Sequence, residues 1–136
     1  MKKRQTDAAR KGNTMDQFEM TTEQLPSLKN ASAEELAHAI ADVLDSKKGR
    51  DIKVLHVADK TVIADYFVIC SGNTGTQIKA LADEVEYRIG LREVNAYGVE
   101  GRENGAWVIV DYSNVIVHIF TRDARDFYKL DKLYAD

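Results

Sequence analysis

The 136-residue sequence holds one cysteine, one tryptophan and three histidines, and each scarcity excludes a class of chemistry. Cys70 alone can form no intrachain disulfide. It lies inside an apolar run, where a thiol serves as core filling, and it fits a reducing compartment such as the cytoplasm. His38, His56 and His118 stand at spacings that build no metal motif. Pairing Cys70 with His118 as nucleophile and base is the sharper alternative to two structural residues. No apolar run approaches the roughly 20 residues of a membrane span, and the N-terminus lacks the apolar core of a signal peptide. Neither GxGxxG nor a phosphate loop occurs. Tyr66, Phe67, Tyr97 and Trp107 have few Lys or Arg beside them, and no RNP-type motif appears. The expectation is a protein with no cofactor, no metal, no membrane and no direct sequence-specific nucleic-acid binding.

Net charge is −3, and it is unevenly spread. Residues 1–30 hold six Lys/Arg and four Asp/Glu, which leaves thirteen basic and eighteen acidic residues, a net −5, on residues 31–136. The polar, weakly apolar stretch 1–30 reads as a flexible extension. Residues 31–136 read as a single domain, long enough to bury a core. An acidic domain suits a basic partner, because complementary potentials steer encounter and fix register. Acidity also serves solubility alone.

Local signals place the elements. Ser32-Ala33-Glu34-Glu35 is a capping box. Leu36, Ile40, Val43 and Leu44 form the helical stripe behind it, closed at Gly49. Ile52 to Val57 reads as a short strand. Tyr66 to Cys70 is a continuous apolar run, the pattern of a central strand buried on both faces. Ile78, Leu81, Ala82, Val85 and Ile89 make a second helix ending at Gly90, with Thr76 as its cap. Val94 to Val99 reads as a strand, parallel to the Tyr66 strand across the helical crossover. Thr121 caps a last short helix through Tyr128, and Leu130, Leu133 and Tyr134 fold back on the body. The sum is an α/β fold with about five strands in a mixed sheet and flanking helices.

The stretch from Val99 to Phe120 carries most information. Two apolar runs flank Ser113-Asn114, a hairpin in which Asn114 tolerates the left-handed turn geometry. A two-residue turn pairs Tyr112 with Val115, Val110 with Val117 and Val108 with Ile119, an apolar face for the core. The other face carries Trp107, Ile109 and Asp111 beside Ile116, His118 and Phe120. Trp107 serves equally as a core anchor or an interface hot spot. Asp111, with Glu100 and Glu103 near the preceding bend, tilts it toward an interface with an acidic rim. The candidate partner-binding residues are Trp107, Glu100, Asp111, Ile109 and His118.

Ser71-Gly72-Asn73-Thr74-Gly75-Thr76 follows a strand and opens a helix, where backbone N–H groups can hold phosphate. A tight strand-to-helix turn with Thr76 as a cap is the favoured reading. A nucleotidyltransferase would need acids on a neighbouring strand to hold Mg²⁺. Val94 to Val99 contains none, and Asp111 stands alone.

Several ordered blocks resemble one family. They are Ala64-Asp65-Tyr66-Phe67-Val68-Ile69-Cys70-Ser71-Gly72-Asn73, Gln77-Ile78-Lys79-Ala80-Leu81-Ala82 and Gly98-Val99-Glu100-Gly101. Trp107 to Asp111, Val115 to Phe120 and Arg125 to Leu133 complete them. From about residue 33 to the C-terminus the chain resembles the Iojap-like ribosomal silencing factors, RsfS. The resemblance implies a nucleotidyltransferase-like fold without transferase activity. It implies binding to the fourteenth protein of the large ribosomal subunit, a steric block to joining of the small subunit, and repression of translation when nutrients are short. It also implies possible homodimers, and a role in ribosome assembly in organelles. The chain departs from the family pattern at Thr76, commonly Arg, and at Tyr134, often Trp. The competing readings are a nucleotide-binding or nucleotidyltransferase-type enzyme, a ribosome assembly adaptor and an RNA-binding adaptor.

Overall fold

A computed structural model describes residues 25–135. Helix α1 spans Ala33–Ser46, β1 Arg50–His56, β2 Tyr66–Gly72 and α2 Gly75–Leu91. Then follow β3 Gly98–Glu100, β4 Trp107–Asp111, β5 Val115–Thr121, α3 Arg122–Tyr128 and α4 Leu130–Leu133. The five strands form one sheet in the order β1-β2-β5-β4-β3. Only β2 and β5 are parallel neighbours; the other pairs are antiparallel. The expected mixed α/β architecture is present.

Strand parity divides the core in two. On one face Val68 and Cys70 of β2, Val108 and Val110 of β4, and Val115, Val117 and Ile119 of β5 meet the apolar stripes of α1 and α2. On the other, Phe67, Ile69, Ile116 and Phe120 form a smaller cluster, joined by Trp107, Ile109, Ala124, Leu130 and Tyr134. Helices α3 and α4 cover only part of this second face. Burying both faces of β2 and β5 explains the continuous apolar run of β2 and the run of β5 broken only by His118.

The hairpin register holds as expected: Val108 faces Ile119, Val110 faces Val117, and Tyr112 N–H donates to the Val115 carbonyl at 2.9 Å. The left-handed residue is Ser113 (φ 73°), not Asn114. Asn114 N–H reaches back to the Tyr112 carbonyl, 2.9 Å, and this three-residue turn puts its central residue at positive φ.

Other local expectations shift. Ser32 and Glu35 form the capping box of α1. Its end is turned by Lys48 (φ 66°), while Gly49 is needed for room: a Cβ there would lie 2.5 Å from Cys70 Sγ. Helix α2 is capped by Thr74, whose hydroxyl accepts from Gln77 N–H at 3.0 Å; Thr76 is exposed. It runs through Gly90 and turns at Glu93 (φ 75°). Residues 94–97 therefore pack irregularly, and β3 begins only at Gly98. It runs in the same direction as β2, as expected, but two strands lie between them. Leu133 stays exposed, whereas Leu130 and Tyr134 pack.

The ordered body also begins before residue 31. Leu28 is buried, and its N–H donates to the Arg92 carbonyl at 2.7 Å. Arg92 Nε donates to the Pro26 carbonyl at 2.8 Å. The rest of the expected extension, residues 1–24, lies outside the described residues.

Candidate partner-binding site

All five candidate residues lie on the face that α3 and α4 cover incompletely. Register sets Glu100, Ile109 and His118 in one cross-strand row, on β3, β4 and β5 in turn. Trp107 precedes Ile109 by two residues and Asp111 follows it by two, so both share its face. Burial falls along the row toward the sheet edge: His118 is buried, Ile109 half-buried and Glu100 exposed.

The loop before Trp107 is built to place it. Gly101 sits at φ 86°, where a Cβ would run into the Trp107 carbonyl. Asn104 Oδ1 accepts from Ala106 N–H at 2.8 Å and Trp107 N–H at 3.2 Å. The indole then stacks on Phe120, with centroids 4.8 Å apart, and leans on Tyr128 at 4.7 Å. Its Nε1–H donates to His118 Nδ1 at 3.2 Å. Trp107 is thus half-buried, fixed by a second layer on one side and open on the other.

His118 is 7% exposed, wedged against Phe67 and Phe120. Burial pushes its pKa down to about 4, so the ring is neutral at pH 7. Because Nδ1 accepts the indole N–H, the proton resides on Nε2, a buried donor with no partner among the described residues. His118 shapes the site from beneath and positions Trp107. Asp111 Oδ1 accepts from Ser113 N–H at 2.7 Å, so one carboxylate oxygen stabilises the hairpin turn.

Sequence reasoning did not select Phe127 and Tyr128. Phe127 is 79% exposed and packs edge-on against Tyr128 at 5.0 Å, extending the aromatic surface from Trp107 outward. The available signal was the spacing of α3. With Arg125 buried, helical geometry turns Phe127 away from it.

Cys70 and His118 cannot form a dyad. His118 pairs in register with Ile69, so Cys70 points to the opposite face. Burial raises the thiol pKa to about 11, leaving no thiolate at neutral pH. Among the described residues no group of three or more His, Cys, Asp or Glu is placed to hold a metal. In the Ser71–Thr76 turn, Asn73 N–H donates to Gln77 Oε1 at 2.6 Å. No helix of the described residues is long and apolar enough to cross a membrane.

Residues 30–136 match the family described as ribosomal silencing factor during starvation, RsfS. The chain is 36% identical to a ribosomal silencing factor RsfS of Bacillus subtilis, over 71% of this chain and 81% of that one. It is 37% identical to that of Haemophilus influenzae, over 74% of this chain and 98% of the relative. A crystal structure of a Chromobacterium violaceum protein, 31% identical, superposes with a TM-score of 0.73 over 76% of this chain and 86% of that one.

Proposed function

This chain belongs to the ribosomal silencing factor family, and from that premise we propose that it binds the large ribosomal subunit through that subunit's fourteenth protein. Bound there, it obstructs joining of the small subunit and represses translation under nutrient limitation, acting in the cytoplasm without catalysis. The observation that carries this reading is the preorganised aromatic surface beside carboxylates. Trp107 is already held by Phe120, Tyr128 and His118, so little side-chain entropy is lost when a partner covers it. Ile109, Phe127 and Tyr128 supply further apolar contact, and Glu100 and Asp111 accept from Lys or Arg on a basic ribosomal protein.

Truncating a hot-spot tryptophan costs about 2 kcal/mol or more, which is roughly a thirtyfold loss of affinity. Trp107→Ala is expected to lose co-sedimentation with isolated large subunits. Phe127→Ala, on an exposed side chain, is expected to weaken it with the fold untouched. Undiminished co-sedimentation of both variants refutes this placement of the contact.

A further inference from the structure

A second surface lies on the far side of α3 from Trp107. A groove of about 830 Å³ opens at the carboxyl ends of β2 and β5, where Gly72 pairs with Thr121. The topology makes this place special. From β2 the chain turns into α2 on one face of the sheet; from β5 it turns into α3 on the other. Adjacent parallel strands whose connections diverge in this way leave a crevice between them, the usual ligand position in open α/β sheets.

The crevice is basic on an otherwise acidic domain. Lys53, Arg122, Arg125, Lys129 and Lys132 line it, against three carboxylates. One of these, Asp131, is already engaged: it accepts from Lys53 Nζ at 3.2 Å and faces Arg125 Nη2 at 3.6 Å. Arg125 is 8% exposed, and its Nη1 donates to Ser71 Oγ at 2.8 Å. The guanidinium is thereby held in one orientation at the floor. Arg122, Lys129 and Lys132 have no ion-pair partner among the described residues. An arginine anchored at the floor through Ser71 and Asp131, beside three cations without ion-pair partners among the described residues, is an arrangement that attracts phosphate oxygens.

We propose that this crevice is an anion site for an oligophosphate group, pyrophosphate or triphosphate, either free or carried by a nucleotide. The cations come from β1, α3 and α4, so one ligand must span them, which a single phosphate does less well. No aromatic side chain lines the groove for base stacking, so the phosphates and not a base are what it reads. The site is separate from the Trp107 face and does not depend on the ribosomal reading.

Isothermal titration of the full chain with sodium tripolyphosphate tests it, with sodium sulfate at matched ionic strength as control. The expected result is saturable binding at one site, weakened at least tenfold by the exposed double substitution Arg122→Ala/Lys132→Ala with unchanged circular dichroism. Arg125→Lys, which keeps the charge and loses the fork, is expected to weaken it as well. A parallel titration with ATP distinguishes the sources. Affinity equal to tripolyphosphate indicates a free oligophosphate, and tighter binding indicates a nucleotide. Absent saturation, sulfate binding of equal strength, or an unaffected double variant overturns the proposal. So does a short single-stranded RNA that binds far more tightly through the same residues, since the groove is then a nucleic-acid track.

Discussion

Acidification tests the packing beneath Trp107. The folded chain holds His118 neutral, with its pKa pushed down to about 4 by burial among Phe67, Phe120 and Trp107, against about 6.5 in an unfolded chain. Above pH 6.5 neither state binds the proton, and stability is independent of this group. As pH falls below 6.5 the unfolded chain takes up a proton that the folded chain refuses, so stability drops by about 1.4 kcal/mol per pH unit. The loss levels off below pH 4, at about 3 kcal/mol in all. Asp131 titrates in a different window. Burial raises its pKa, but the hydrogen bond from Lys53 and the nearby Arg125 outweigh this and hold it low. Its contribution is present above the ordinary carboxylate pKa and fades only in stronger acid. Urea unfolding followed by fluorescence of Trp107, the single tryptophan, reads the site directly. Between pH 6.5 and 5.0 the native chain is expected to lose about 2 kcal/mol more than His118→Phe, which packs but cannot titrate. Parallel pH profiles for the two proteins would refute the burial argument.

Two further substitutions test the packing elsewhere. Gly49→Ala drives a Cβ against Cys70 Sγ at 2.5 Å and the Leu44 carbonyl oxygen at 3.0 Å, and is expected to cost about 1–3 kcal/mol in thermal unfolding. Adding Cys70→Ala should recover part of it, and an unchanged melting temperature in the single variant refutes the close approach. Leu28→Ala is expected to cost about 2 kcal/mol. A chain begun at residue 31 should lose at least as much, and equal stability of full and shortened chains would remove residues 25–30 from the domain.

What was legible in the sequence was whatever short-range rules dictate. The Ser32 capping box needs only residues three apart, and the hairpin faces follow from parity once the turn length is known. The positive-φ positions were misplaced because composition points to glycine and asparagine, whereas long-range packing decides where the chain must turn. Lys48, Glu93 and Ser113 take the left-handed geometry, and Gly49 is spent on closeness to Cys70. The neighbours of β2 were illegible for a related reason. A crossover specifies direction, and β3 does run with β2, but nothing local says that β5 and β4 intervene. Within the candidate site, parity placed Trp107, Ile109, Asp111 and His118 on one face, and the register of β3 adds Glu100 to it. Parity could not reveal that His118 would be buried among Phe67, Phe120 and Trp107 while Glu100 stays in water, because that depends on how side chains of separate strands, with α3 laid over Trp107 and Phe120, come to rest.

That helix separates two opposed chemistries. Arg122 and Arg125, at i and i+3, share one helical face and line the crevice, with Lys129 at the left-handed C-cap beyond them. Ala124 and Tyr128, at i and i+4, face the Trp107 cluster, and Phe127 continues that side outward. Seven residues thus keep the cations away from the acid-rimmed aromatic face, on which Glu100 and Asp111 must attract a basic partner. Cations on the Trp107 side would cancel that attraction, and aromatics in the crevice would occupy the space between its arginines. The segregation also makes the two surfaces independently testable: Phe127→Ala should leave oligophosphate binding intact, and Arg122→Ala/Lys132→Ala should leave large-subunit binding intact. Loss of both from either variant would mean that the helix had moved, and that neither surface had been probed alone.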